Sequence, residues 1–145
     1  MHPAAQRYFE LSPQQQRQVQ VALCEQALSI WDSLCSGEIR YEESVAGTTQ
    51  SLDLALPREA LLAVKTGAAA PEIEHRYLEP LAALQDEDLA LDPKAEFAFY
   101  AIRNLFVSAV LNREVDAWLI PNQALSAIGE EHAIAALESA LETAA

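Results

Sequence analysis

The stretch DPKAEFAFYAIRNLFVSAVLNR, residues 92–113, decides the fold. Asp92 is a residue type that caps helices, and Pro93 suits the first helical position, where its fixed φ is preset and its missing N–H would have had no partner. Behind this start, Phe97, Phe99, Tyr100, Ile102, Leu105, Phe106, Val107, Val110 and Leu111 cover most of the helical circumference. A helix apolar nearly all round has no face to give to water. The pattern therefore predicts a helix from Pro93 to about Arg113 at the centre of the molecule.

The flanking segments carry the same punctuation of Pro at helix starts and Gly at helix ends. Pro3 opens a short helix over residues 3–10, with Tyr8 and Phe9 as its apolar bulk. Ser12, Pro13 and Gln15 form the pattern of a capping box, and a helix is expected from there to about Ser36, stopped by Gly37. Its apolar positions are Val19, Leu23, Ile30, Trp31 and Leu34. Pro57 opens a helix through Ala60, Leu61, Leu62 and Val64 to Gly67, and Pro71 opens another, interrupted near Pro80 and ending around Gln85. After a segment around Trp118, a short helix from Pro121 to Gly129 precedes a last one from Glu130 to Thr143, with Ala133, Ile134, Leu137 and Leu141 as its inner stripe.

Residues 38–56 fit this scheme least. Leu52, Leu54 and Leu56 alternate as a strand would, but one strand needs a partner and no other segment repeats the alternation. The expectation is a loop followed by a helical segment. The whole is an all-α chain: residues 1–145 form a single helical domain, an irregular or orthogonal bundle of six to seven helices around one buried central helix.

Composition bounds the function. With 145 residues and 51% apolar content the chain can bury a core without disulfides or a structural metal. It has 22 acidic and 9 basic residues, a net charge of -13, which repels a phosphate backbone and argues against nucleic-acid binding. No apolar run approaches the roughly 20 residues that span a bilayer. The opening MHPAAQR lacks the apolar stretch of a signal peptide, so no membrane partner and a cytoplasmic location are expected. The charge is uneven: residues 38–92 hold 4 basic and 12 acidic groups, net -8. Glu38, Glu42, Glu43 and Asp86, Glu87, Asp88, Asp92 fall where loops are expected, and loops on a rigid scaffold are where binding surfaces tend to lie. Tyr41 adds an aromatic of the kind that anchors interfaces.

Signals for catalysis are weak. Cys24 and Cys35 share one face of a helix about 16.5 Å apart, too far for a disulfide, and with Leu28 and Trp31 they read as a packed stripe. His2, His75 and His132 form no spaced pair with one another or with a cysteine, so a zinc site is unsupported. Glu72 and His75 make a Glu-x-x-His spacing, but a dimetal bundle needs a second copy, which the sequence lacks. Gly37, Gly47, Gly67 and Gly129 are too dispersed for a phosphate-cradling loop. No catalytic residue, metal or cofactor is expected, and the chain reads as a binding protein, not an enzyme.

Through Tyr41-Glu42-Glu43-Ser44-Val45-Ala46-Gly47, preceded by Trp31-Asp32-Ser33-Leu34 and followed by Ala95-Glu96-Phe97-Ala98-Phe99-Tyr100-Ala101, the chain resembles the small, all-helical, acidic immunity proteins of bacterial toxin systems. The resemblance is one of layout. It implies a bacterial protein that binds a cognate toxin or effector and occludes its active site or substrate access, with no catalytic residues of its own. The residues expected to meet that partner are Glu38, Tyr41, Glu42, Glu43, Asp86, Glu87 and Asp88. An alternative is a secretion chaperone or adaptor holding an effector segment in a long apolar groove. A third is a helical metal-dependent enzyme with Glu72 and His75 facing inward.

Overall fold

The computed structural model describes residues 2–43 and 45–145. Met1 and Ser44, the latter inside the stretch that carries the resemblance, lie outside the described residues. Seven helices and one two-stranded sheet occur among the described residues: α1 (Pro3–Glu10), α2 (Pro13–Leu34), β1 (Arg40–Glu42), β2 (Thr49–Ser51), α3 (Leu56–Thr66), α4 (Pro71–Gln85), α5 (Pro93–Ala109), α6 (Leu119–Ile128) and α7 (Glu130–Ala144). The architecture is an all-α bundle around α5, which packs against α2, α3 and α6. No described helix is long and apolar enough to cross a membrane.

Local chemistry sets these elements. Ser12 Oγ accepts from the Gln15 amide while Gln15 Oε1 accepts from the Ser12 amide, which satisfies two otherwise orphaned donors at the start of α2. Asp92 Oδ1 accepts from the Lys94 amide at the start of α5. Gly67, at φ +69°, closes α3 in the left-handed region that glycine adopts without steric cost. The core is apolar and continuous. Phe99 of α5 lies between Trp31 of α2 and Tyr77 of α4, with ring centroids 5.7 and 4.8 Å away. Cys24 and Cys35 are both buried and unbridged. Burial pushes both thiols up, Cys35 to about 11 with Asp92 and Asp32 adding to the effect, so neither is an activated nucleophile.

Several expectations need correction. Residues 38–56 contain an antiparallel hairpin with Arg40 opposite Ser51, Tyr41 opposite Gln50 and Glu42 opposite Thr49. Its strands are mostly exposed, so no apolar alternation marks them. The leucine alternation serves other ends: Leu52 is buried beneath the hairpin and donates its amide to the Ile39 carbonyl at 2.7 Å, the Leu54 carbonyl accepts from Trp31 Nε1 at 2.9 Å, and Leu56 begins α3. Helix α4 runs through Pro80 without interruption, the proline being buried on its inner side. Helices α2 and α5 stop short, at Leu34 and Ala109, where Cys35 turns extended and Asn112 takes φ +54°. Leu34, Phe97 and Ile134 are exposed, and the buried side of α7 is Ala136, Leu137, Ala140, Leu141 and Ala144.

Candidate functional site

Part of the acidic middle of the chain, Glu42, Glu43, Asp53, Glu79 and Asp88, lies around the hairpin. β1 alternates, sending Arg40 and Glu42 to one face and Tyr41 to the other. Tyr41 is half-buried and packs against the core, anchoring the hairpin on α4. Burial, reinforced by Glu79 and then Glu43, raises its hydroxyl above the ordinary tyrosine value, so it remains a donor at neutral pH. On this side Tyr41, Glu43 and Gln50 meet His75, Arg76 and Glu79 of α4 around a cleft of about 330 Å³. On the other side Arg40, Tyr41, Glu42 and Thr49 meet Asp88 around a recess of about 400 Å³.

The carboxylates divide into two groups. Glu38 is engaged: Arg40 Nη2 donates to it at 3.0 Å and Ser51 Oγ at 2.8 Å. Arg40 first and Ser51 second hold its carboxyl below the usual range. Glu43 accepts from Thr48 Oγ1 at 2.8 Å and stiffens the turn, which the Glu43 amide closes with a bond to the Thr48 carbonyl at 2.8 Å. Arg76 is held by Asp53 at 3.5 Å and by Glu59. Glu42, Asp86, Glu87 and Asp88 are exposed and have no ion pair among the described residues.

The turn after α4 is built against local preference. Asp86 caps the helix, Glu87 stands at φ +63°, and the Asp88 amide reaches back to the Ala83 carbonyl at 2.9 Å while that of Glu87 reaches Leu84 at 3.3 Å. This is the glycine-type helix ending with glutamate in the left-handed position. Its three carboxylates also crowd the negative end of the α4 dipole. Both features cost stability, and both leave negative charge beside the hairpin.

Of the seven residues read from sequence, Tyr41, Glu42 and Asp88 therefore share one recess, and Tyr41 and Glu43 share the cleft behind it. Glu38 is tied up in its own ion pair, and Asp86 and Glu87 line neither cavity. Sequence reasoning missed Thr49 and Gln50 because it missed the hairpin. Gly47, at φ +68° and followed by Thr48 and Thr49, is the turn signal that could have found it. Glu72 and His75 are exposed on α4 and not turned inward. No group of three or more His, Cys, Asp or Glu placed to hold a metal ion occurs among the described residues.

Comparisons with protein-family models, with curated proteins and with solved structures find no match to this chain. The site is accordingly defined by its own geometry: an acidic hairpin-and-turn surface carried on a helical frame.

Proposed function

We propose that this protein is a bacterial immunity protein, acting in the cytoplasm by binding a cognate basic toxin through the hairpin and the turn after α4. The observation that carries this reading is the turn itself. A helix ending that favours glycine and positive charge holds Asp86, Glu87 and Asp88 instead, next to the unpaired Glu42. Strain and like-charge crowding on an exposed turn are the marks of a surface shaped for something other than its own stability. A basic partner relieves the crowding. Its lysines and arginines take up carboxylates that this chain leaves unpaired, and the negative field speeds the encounter. Tyr41 supplies an aromatic that the partner can pack against at the rim of both cavities. In this mechanism the carboxylates stand in for the anionic substrate of the toxin, and inhibition is occlusion with no covalent step.

A chaperone that cradles a cargo segment would require a long apolar groove. The cleft between α2, α3 and the ends of α5 and α7 is lined by Arg17, Glu25, Lys65 and Asn112 as well as by Val and Ala, which favours the first reading.

The direct test is co-expression with the product of the adjacent gene. The expected result is a one-to-one complex that relieves the toxicity of that product and loses most of its association rate when Glu42 and Asp88 are changed to Lys. A complex formed equally well by the Glu42→Lys/Asp88→Lys protein would reject this surface, and continued toxicity with no complex would reject the function.

A further inference from the structure

A second site lies away from the hairpin, in a cleft of about 720 Å³ between α2, α3, the end of α5 and the end of α7. It shares no lining residue with the hairpin cavities, and its size falls within the range of small-molecule pockets. Arg17, Val21 and Glu25 stand at i, i+4 and i+8, so they form one row on α2 about 12 Å long. Arg17 marks one end. At the other, Lys65 Nζ is paired with Glu25 at 3.1 Å. Between them Val21, Ala22, Val64 and Ala109 make an apolar floor. An adjoining cavity of about 180 Å³ shares Val64, Ala109 and Asn112 and continues the floor past Ala68 and Val110.

Arg17, like Arg103 elsewhere in the bundle, keeps one guanidinium nitrogen away from water without a partner, and of the two it is Arg17 that lines this cleft. In a chain with 22 carboxylates to 9 cations, it has no ion pair among the described residues. Its Nη2 donates only to a neutral hydroxyl, Ser108 Oγ, at 2.8 Å, and its Nη1 is shielded from water with no partner. Burial lowers its affinity for the proton. A guanidinium partly withdrawn from water, with one donor shielded and unpaired, is costly until an acceptor reaches that donor. The charge of the lining, from Arg17 and Lys65 against Glu25, is suited to one negative charge; a dianion would be opposed by Glu25.

We propose that this cleft binds a monocarboxylate with a short alkyl chain, its head on Arg17 and Ser108 and its tail along Val21, Ala22, Val64 and Ala109 toward Ala68. The head draws the guanidinium round so that both terminal nitrogens have an acceptor, which is the bidentate geometry that carboxylates favour. The chain removes the floor from water.

Titration calorimetry of the full chain with butyrate, hexanoate and octanoate at neutral pH tests this. One molecule should bind per chain, with affinity rising up to about fourfold for each methylene buried, while hexan-1-ol and hexylammonium bind at least tenfold more weakly than hexanoate. Arg17→Gln should weaken hexanoate at least tenfold. Asn112→Asp, an exposed substitution at a left-handed position that aspartate tolerates, should do the same by placing a negative charge in the wall, and it keeps the test valid if Arg17→Gln fails to fold. Absence of saturable binding by any of the three carboxylates, equal binding of hexan-1-ol, or hexanoate affinity unchanged in Asn112→Asp would overturn the proposal.

Discussion

Glu87 shows at the scale of one residue how stability and surface charge oppose each other. Its left-handed backbone costs an L-residue roughly 1–2 kcal/mol, and the greater unfolded-state freedom of glycine offsets about 0.4–1 kcal/mol of any gain from replacing it. Glu87→Gly is therefore expected to stabilise the protein by about 0.5–1 kcal/mol in urea unfolding, and more at low salt, where removing one charge from the end of α4 also counts. Unchanged or lowered stability would mean that the glutamate makes a compensating contact. Cys35 gives a second prediction with a definite sign. Its thiol ionises near 9 when unfolded and is pushed up to about 11 when folded. The unfolded chain thus loses its proton first, and the contribution of the thiol to stability, complete below pH 9, declines as pH rises from 9 to 11. The buried Tyr8 and Tyr77 hydroxyls shift in the same direction. Urea midpoints measured over that range should fall, and fall less steeply in Cys35→Ala; equal slopes would remove Cys35 as a contributor.

At the scale of the element, legibility followed burial. Helix α5 could be placed from its sequence because Ala95, Ala98, Phe99, Ala101, Ile102, Leu105, Phe106 and Val107 are all buried and their spacing records it. The capping box of α2 was legible for a similar reason, since its chemistry is local. The hairpin left no such record: three-residue strands lying on a helix, with only Tyr41 half-buried, bury too little for a period of two to emerge. Pro80 was misleading because a proline on the packed side of α4 can be held by its burial although it lacks an amide donor. As for the candidate site, acidic clusters were visible in the chain, but which carboxylates were free was not, because that depends on Arg40 folding onto Glu38 and Thr48 onto Glu43. The hairpin can be separated from the bundle by experiment. The Ile39 carbonyl and the Leu52 amide are 2.7 Å apart, so a two-residue Asn-Gly turn can replace residues 40–51. That protein should keep its helical circular dichroism and a cooperative melt while losing the proposed partner. Loss of cooperative unfolding would show that the hairpin belongs to the folding unit.

For the whole molecule, the net charge of -13 has two consequences of opposite sign. Self-repulsion destabilises the folded chain, so raising sodium chloride from about 0.01 to 0.15 M, which shortens the screening length from about 30 to 8 Å, should raise the melting temperature by a few degrees. The same screening weakens attraction to a basic partner. Few of the 9 basic groups lie near the hairpin and free: Arg40 is paired with Glu38 and Arg76 with Asp53 and Glu59. The field there is consequently set by carboxylates, and Glu42 and Asp88 face one recess from two different elements. The most direct measurement is the association rate with the product of the adjacent gene, followed by stopped flow across that salt range for the native chain and for Glu42→Lys/Asp88→Lys. The native rate should fall steeply with salt, the charge-reversed rate should be at least tenfold lower at about 0.01 M, and the two should converge as screening increases; equal rates at that lowest salt would rule out this surface as the source of attraction.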